Sequence, residues 1–372
     1  MAGKILVTGA TGLVGNNVTR RLIEGGLRPR VLVRGDGIPA ALAGLNLELV
    51  RGDICDAESL RAAFAGIDCV IHSAGFVHLG RSHLELHRSI NVDGTRNVAD
   101  AAIAARARMI HISSCDAISG GTARHPADED TPLRPPIACN YVRSKRAAEQ
   151  IVLERIGRGL DAVIINPGFM LGPWDWKPSS GRMMLEVARN RCLLAPRGHF
   201  SVCDVRDVAD GIIAAIDKAP SGRRYIMAGE TRLYLDAWRL FASITGGRRP
   251  LFRPGPVNLW IGGKLGDLLG RLTGQEPDLN SAAIALARQP KYYSSQRAIS
   301  ELGYRIRPIA ESGRDAWDWF VAHGYATPAR SERDRPRTVA FRPFSGRFAI
   351  LPLIRAGANR SHATAERRLS PP

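Results

Sequence analysis

Lysine is scarce in this chain, with six residues against 46 arginines. Such a bias follows from a GC-rich genome as readily as from a binding role, so the net charge of +17 is not in itself a nucleic-acid signal. No basic run before residue 330 exceeds pairs such as Arg20-Arg21 and Arg223-Arg224. The last 43 residues hold ten arginines against Glu332, Asp334 and Glu366, which leaves +10 spread over the preceding 329. A diffuse field of this kind suits small anionic molecules or membrane surfaces as well as nucleic acid, and no nucleic-acid partner is expected. Long apolar runs are missing too: no window approaches the ~18 residues of a spanning helix. The N-terminus passes from Met1 into the strand-like Lys4-Ile5-Leu6-Val7-Thr8 without room for a secretion signal, so a cytoplasmic protein is expected. The six cysteines (Cys55, Cys69, Cys115, Cys139, Cys192, Cys203) show no CxxC and no paired spacing, which reads as reduced thiols buried as small hydrophobes. His83-x3-His87 can put two imidazoles on one helix face, but no recognisable motif supplies a third ligand, and no metal is expected.

What the chain does have is length and apolar content. At 372 residues and 45% apolar it can bury roughly three quarters of its unfolded surface, as one large domain or two smaller ones. Short β-branched runs at 5–8, 31–34, 47–50, 69–72, 109–113 and 162–166 alternate with segments of period-3.6 spacing such as Val14, Val18 and Leu22. Strand–helix alternation implies βαβ units with right-handed crossovers. The expected fold is therefore α/β, a Rossmann-type doubly wound parallel sheet. After Pro167 the pattern changes. A turn-rich aromatic stretch, Gly172-Pro173-Trp174-Asp175-Trp176-Lys177-Pro178, precedes helical patterns near 183–191 and 207–217, a strand at 225–228, a helix at 235–245 and a Pro- and Gly-punctuated span at 249–274. This reads as a dinucleotide-binding domain over 1–167 with 205–232 returning to it. A smaller mixed α/β substrate lobe takes 168–204 and 233–328, and a basic, disordered tail takes 329–372. There is no internal repeat.

Thr8-Gly9-Ala10-Thr11-Gly12-Leu13-Val14-Gly15 follows the first strand and opens the first helix. Gly9 permits a tight turn, Gly12 lets the backbone approach a pyrophosphate, and Gly15 allows close helix packing. The phosphates then rest on the N-terminus of the helix beginning at Leu13 and Val14. The second strand ends on Arg34, where an acid would bond the ribose hydroxyl of NAD. An arginine can instead pair with the 2′-phosphate, so NADP(H) is preferred over NAD(H). Asp53, in Arg51-Gly52-Asp53-Ile54, either accepts from the adenine amine or caps the next helix. Tyr141 and Lys145 stand four apart, which on a helix puts both on one face. A phenol needs its pKa lowered by roughly three units to shuttle protons at neutral pH, and a neighbouring ammonium supplies part of that. Spacing alone fits an ordinary surface pair better; the glycine loop upstream reverses that and favours the functional reading.

With these motifs on the page, the chain resembles the extended branch of the short-chain dehydrogenase/reductase superfamily, the NAD-dependent epimerase/dehydratase group. The matching residues are the TGATGLVG loop, Asp53, Asn91-Val92-Asp93-Gly94-Thr95, Ser113-Ser114, Tyr141 with Lys145, Asn166-Pro167-Gly168 and Asp207-Val208-Ala209. They span about 4 to 210, and Leu302-Gly303-Tyr304 and Trp317-Asp318-Trp319-Phe320 extend the likeness to about 325. The stretch 172–178 followed by Gly181-Arg182 is most similar to dihydroflavonol-reductase, 3β-hydroxysteroid-dehydrogenase and hopanoid-associated epimerase relatives.

The resemblance implies that Tyr141 is the general acid/base, Lys145 tunes it and binds the nicotinamide ribose, and Ser114 bonds the reacting oxygen. It places Gly9, Thr11, Gly12, Leu13, Val14, Gly15, Arg34, Asp53, Ile54, Ala74, Asn91, Pro167 and Gly168 at the cofactor, the last two offering backbone groups to its carboxamide. For substrate it leaves His78 and Ser114, with Trp174 either a flat wall for a ring or isoprenoid or part of the lobe's packing. The implied activity is hydride transfer between NADP(H) and a ketone or secondary alcohol on a ring-bearing or lipid-like small molecule. The alternatives are a sugar-nucleotide epimerase or dehydratase holding NAD tightly, and a non-catalytic NADP-binding subunit. A homodimer through the helices carrying 91–105 and 141–155 is also implied. The basic tail with its apolar patch at 348–354 is a candidate for weak peripheral membrane contact.

Overall fold

The computed structural model describes residues 3–327. In chain order the strands are β1 (Ile5–Thr8), β2 (Arg30–Val33), β3 (Glu48–Arg51), β4 (Cys69–His72), β5 (Arg108–Ile112), β6 (Ala162–Pro167), β7 (Phe169–Leu171), β8 (His199–Asp204), β9 (Arg224–Met227) and β10 (Glu230–Leu233). The helices are α1 (Leu13–Glu24), α2 (Ala57–Ala63), α3 (Leu84–Leu86), α4 (Gly94–Ala105), α5 (Asn140–Ile156), α6 (Gly181–Ala188), α7 (Val205–Lys218), α8 (Tyr234–Thr245), α9 (Pro256–Thr273), α10 (Ser281–Ala287), α11 (Gln296–Leu302) and α12 (Ile309–Ala322). A π-helical turn, His87–Asp93, joins α3 to α4.

Seven strands form one sheet in the order β3-β2-β1-β4-β5-β6-β9, with every neighbouring pair parallel. A parallel sheet needs cover on both faces, which is why β1, β2 and β4 are buried at every position. Val14, Val18 and Leu22 of α1 join Val208 and Ile212 of α7 and Ala298 and Leu302 of α11 on one face. Leu60 of α2, Val98 and Ala102 of α4 and Val152 of α5 cover the other. Strand order reverses between β1 and β4, so the carboxyl ends of these two strands open the crevice in which doubly wound sheets bind ligands. This is the doubly wound fold the alternation predicts, with strand limits within a residue or so.

A second, three-stranded sheet is mixed: β8 runs parallel to β7 and antiparallel to β10. It packs with α6, α8 and α12 around Leu171, Met184, Phe241, Trp317 and Phe320. Three boundaries differ from the sequence reading. Residues 230–232, assigned to the return into the parallel sheet, belong to β10 and pair with β8. Helix α11, assigned to the lobe, buries Ala298 and Leu302 against the parallel sheet, because these small apolar residues fill the gap beside α7 and β9. The punctuated span 249–274 holds an 18-residue helix, α9, whose Pro256 stands in its first turn and whose Gly274 terminates it at φ +72°; the proline and glycine mark its ends rather than breaking it. The proposed tail, 329–372, with its patch at 348–354, lies outside the described residues.

Candidate active site

The glycine loop is shaped by close approach. Gly9 has φ +74°, and a methyl group there would lie 2.5 Å from the Ala74 nitrogen. One on Gly15 would lie 2.4 Å from the Gly9 carbonyl oxygen and 2.6 Å from Ser73 Oγ. Gly12 donates to the Gly9 carbonyl (2.9 Å), and a methyl there would meet only that oxygen, at 3.4 Å. Helix α1 carries no side-chain cap and no acid in its first turn. Its N–H groups at Leu13 and Val14 therefore face an open, uncapped helix end, the arrangement that accepts a phosphate. These residues fit a dinucleotide.

Past β2 and β3, a cavity of about 430 Å³ is lined by Arg34, Arg51, Gly52, Asp53 and Ser59. Arg51 was not foreseen; as the last residue of β3 it reaches the same pocket as Arg34 because β2 and β3 are neighbours. Asp53 does not cap α2, since Asp56 does so by accepting from Glu58 N. Asp53 instead accepts from Cys55 N at 3.0 Å. Ile54 is buried against Gly94, and its carbonyl accepts from Asn97 (2.9 Å).

At the carboxyl end of β5 the candidate catalytic groups come together. Ser114 lies two residues past β5, and Tyr141 and Lys145 share one turn of α5; all three are buried. The Ser114 hydroxyl, which accepts from Asp116 N (3.1 Å), lies near enough to the Tyr141 phenol to act on its ionisation. Burial pushes the phenol pKa well above its ordinary value and the nearby Asp116 carboxylate adds to this, while Ser114 pulls the other way. The phenol is thus held protonated, opposite in direction to the shift that a base needs. Lys145 donates from Nζ to the Ile112 carbonyl (2.9 Å), and burial brings it down to about 8, with Glu149 opposing. A methyl on Gly75 would stand 3.6 Å from that Nζ, and Ala74 abuts Gly9. The amine therefore borders the crevice beside the glycine loop.

Asn91 is spent on scaffolding: its Oδ1 accepts from Phe76 N (2.7 Å), and its Nδ2 donates to Phe76 O and to Ser144 Oγ (both 2.9 Å). It pins the loop after β4 to α5. Gly168 N donates to Met227 O (3.0 Å) and Pro167 has no N–H, so only carbonyl oxygens remain for the carboxamide. His78 is turned to Glu276 (3.1 Å) and Ser82 Oγ (3.0 Å). Burial opposes ionisation of Glu276, yet hydrogen bonds from Ser82, Arg81 N and His78 outweigh it and hold its pKa down at about 2. His83 and His87 do not share a helix face: His83 precedes α3 at φ 56° and His87 opens the π turn. His87, one of the pocket candidates in the stretch after β4, is buried with its ring 6.4 Å from that of Tyr141, and burial lowers it to about 4. Trp174 takes the packing alternative. Its ring lies against Trp176, Trp319 and His323, and the Arg20 guanidinium sits 3.3 Å over it. Lys291, 146 positions beyond Lys145, closes on Asp116 beside Ser114, a pairing no local pattern announces. Cys115 is a buried filler donating to Asn166 O (3.2 Å).

A glycine-turn parallel sheet with a buried Ser–Tyr–Lys set at its carboxyl edge defines a nicotinamide-dependent short-chain dehydrogenase/reductase of the extended type. A model of the NAD dependent epimerase/dehydratase family matches residues 5–228, and the chain belongs to that family. It is an NAD(P)-dependent oxidoreductase acting on CH–OH groups. It is 33% identical over 326 residues to sterol demethylase protein B of Methylococcus capsulatus, covering 86% of this chain and 98% of that protein. It is 34% identical over 339 residues to a putative dihydroflavonol 4-reductase of Synechocystis, covering 87% and 96%. The crystal structure of gox2253 superposes with a TM-score of 0.76 at 35% identity, covering 86% of this chain and 98% of that one.

Proposed function

We propose that the chain reduces a ketone, or oxidises the matching secondary alcohol, on a ring-bearing or lipid-like small molecule, and that it exchanges NADP(H) freely in preference to NAD(H). The carrying observation is the Arg34–Arg51 pocket: Arg34 stands where an acid would serve the ribose hydroxyl of NAD and suits a 2′-phosphate, and Arg51, ion-paired to Asp36, lies beside it. The bound cofactor's chemistry is hydride donation or acceptance at its nicotinamide ring. Tyr141, its phenol held protonated by burial, gives its proton to the substrate oxygen during reduction. Ser114 holds that oxygen, and the Lys145 ammonium stabilises the phenolate left behind. In oxidation the same groups work in reverse, which requires Lys145 to be charged.

The relatives named above, one a sterol enzyme and one a dihydroflavonol reductase by name, support a ring-bearing substrate. The thiols, free and mostly buried, suit a cytoplasmic setting, and the homodimer through α4 and α5 belongs to the same proposal. The test is a panel of cyclic ketones, sterols and nucleotide-sugars read by NADPH absorbance, with product analysis for epimers. Turnover of a ring ketone with exchangeable NADPH supports the reading. Retention of NAD through gel filtration, with epimerised nucleotide-sugar as product, overturns it.

A further inference from the structure

Helix α9 is built inside out. Its buried residues are Leu259, Gly263 and Gly266, a stripe facing α10. A methyl on Gly266 would lie 1.8 Å from the Leu279 carbonyl oxygen, and one on Gly263 would lie 2.9 Å from Ile284. The bulky residues point the other way: Val257 (67% exposed), Trp260 (63%), Leu265 (60%), Leu268 (51%), Leu269 (51%) and Leu272 (76%). At 100° per residue Val257, Leu265, Leu268, Leu269 and Leu272 cover roughly a third of the helix circumference as one apolar face, with Trp260 set off to one side of it. Solitary exposed leucines are ordinary, but a contiguous apolar face of this extent signals a non-aqueous partner.

Charge identifies that partner. Residues 246–274 carry Arg248, Arg249, Arg253, Lys264 and Arg271 against one acid, Asp267, which accepts from Ser281 N (2.9 Å). Lys264 and Arg271 lie between the leucine face and Trp260, and Arg248, Arg249 and Arg253 precede the helix, all exposed. An apolar face bordered by basic residues and a tryptophan is the pattern of a helix lying in the plane of an anionic lipid surface. No helix among the described residues is long and apolar enough to cross a membrane.

The face also adjoins the site. Glu276, just after α9, accepts from Arg81 N and Ser82 N (3.0 and 2.8 Å), and Asn280 donates to Leu79 O (2.9 Å). The loop so latched carries further exposed apolar residues, Val77, Leu79, Leu84 and Leu86. Ala282 and Leu286 of α10 pack against Cys139, Tyr141 and Val142. We propose that α9 docks on an anionic lipid bilayer as an interfacial helix, holding the Tyr141 end of the crevice at the membrane surface. The surface stands independently of the proposed activity; only its use in delivering an apolar substrate rests on that reading.

The test is co-sedimentation of full-length protein with vesicles of phosphatidylcholine containing phosphatidylglycerol, and with phosphatidylcholine alone. Trp260 emission is read in parallel against bromine-labelled lipids. Binding is expected to anionic vesicles, to weaken with salt, and to fall by about a hundredfold in L265E/L268E/L272E. Bromolipid quenching is expected in the wild type and to be lost in Trp260→Phe, which assigns the contact to α9 rather than to residues 329–372. NADPH titration of every variant keeps the outcomes apart: intact cofactor affinity without vesicle binding overturns the inference and leaves the proposed function standing. Undiminished binding in the triple variant overturns it, as does quenching unchanged in Trp260→Phe. If the triple variant instead converts a dimer to a monomer in sedimentation velocity without altering vesicle binding, the face belongs to a second copy and the inference fails.

Discussion

The crevice at the sheet's carboxyl edge and the α9–α10 hairpin beside it solve opposite problems. In the crevice, bulky side chains point into the protein and the buried polar groups are largely tied to neighbours, as Asn91 is to Phe76 and Ser144. Asn166 likewise donates to Ser114 O (2.9 Å) and Glu149 (2.6 Å). In the hairpin the small residues point in and the leucines point out. Rigid placement of a few atoms matters in the first region, whereas apolar area matters in the second. A change of one atom should therefore be ruinous among the reacting groups of the crevice, whereas the outward face of the hairpin should tolerate exchange of one apolar side chain for another.

The sharpest way to break this contrast is Tyr141→Phe, which removes one oxygen from the buried Ser114 pair. Turnover should fall by roughly 10³-fold, within the range general acid–base catalysis contributes, while NADPH affinity measured by fluorescence titration stays within about twofold. Undiminished turnover would show that the phenol is not the proton carrier. Arg34→Asp comes next. Losing a charge-assisted bond to a phosphate, and gaining repulsion, should weaken NADPH by about 10- to 100-fold and NADH far less. Adding Arg51→Ala should deepen the loss if both guanidinium groups meet the phosphate; equal losses for the two cofactors would remove both from phosphate recognition.

On the hairpin side, Gly266→Val forces side-chain carbons into the Leu279 carbonyl. The expected result is a hairpin released from α10, with trypsin cleavage at Lys264 and Arg271 accelerated about tenfold or more and NADPH affinity little changed. Equal proteolysis would mean that the glycine stripe does not hold the helix down. This also marks where sequence reasoning reached its limit. The strands, the glycine turn and the Tyr141/Lys145 spacing were legible because each is specified by residues within a few positions of one another. Arg51 beside Arg34 and Lys291 on Asp116 depend on strand order and long-range packing, which no local period encodes. Helix α9 went unread for a different reason: its glycines and flanking prolines look like punctuation, and an apolar face is ordinarily taken as the buried one. Trp174 was placed as packing only once α1 supplied Arg20 above its ring.

A smaller effect separates function from stability inside the crevice. Burial lowers Lys145 to about 8, so a charged ammonium is held where the fold disfavours it. Because the folded pKa is below the unfolded one, near 10.4, the cost is complete below pH 8 and fades as pH rises from 8 toward 10. Lys145→Met should therefore melt a few degrees higher than wild type at pH 7 in the absence of cofactor, with the gap closing by pH 10, although turnover is lost. A lower melting temperature at pH 7 would mean that the hydrogen bond to Ile112 O outweighs the desolvation.

The smallest effect is expected one residue from the reacting groups. Cys115 follows Ser114 and is fully covered, and burial pushes its thiol well above the ordinary range, with Cys203 and Asp116 adding to the shift. A thiol held protonated is neither nucleophile nor metal ligand, and its one bond, to Asn166 O, is weak. Cys115→Ala should therefore change kcat by less than about twofold, and alkylating reagents should spare Cys115 in the folded protein while reaching the exposed Cys55. The neighbouring hydroxyl and phenol are separated from it only by the direction in which β5 releases the chain. If the alanine variant lost turnover as Tyr141→Phe does, proximity rather than pointing would govern this site, and the contrast between crevice and hairpin would lose its physical basis.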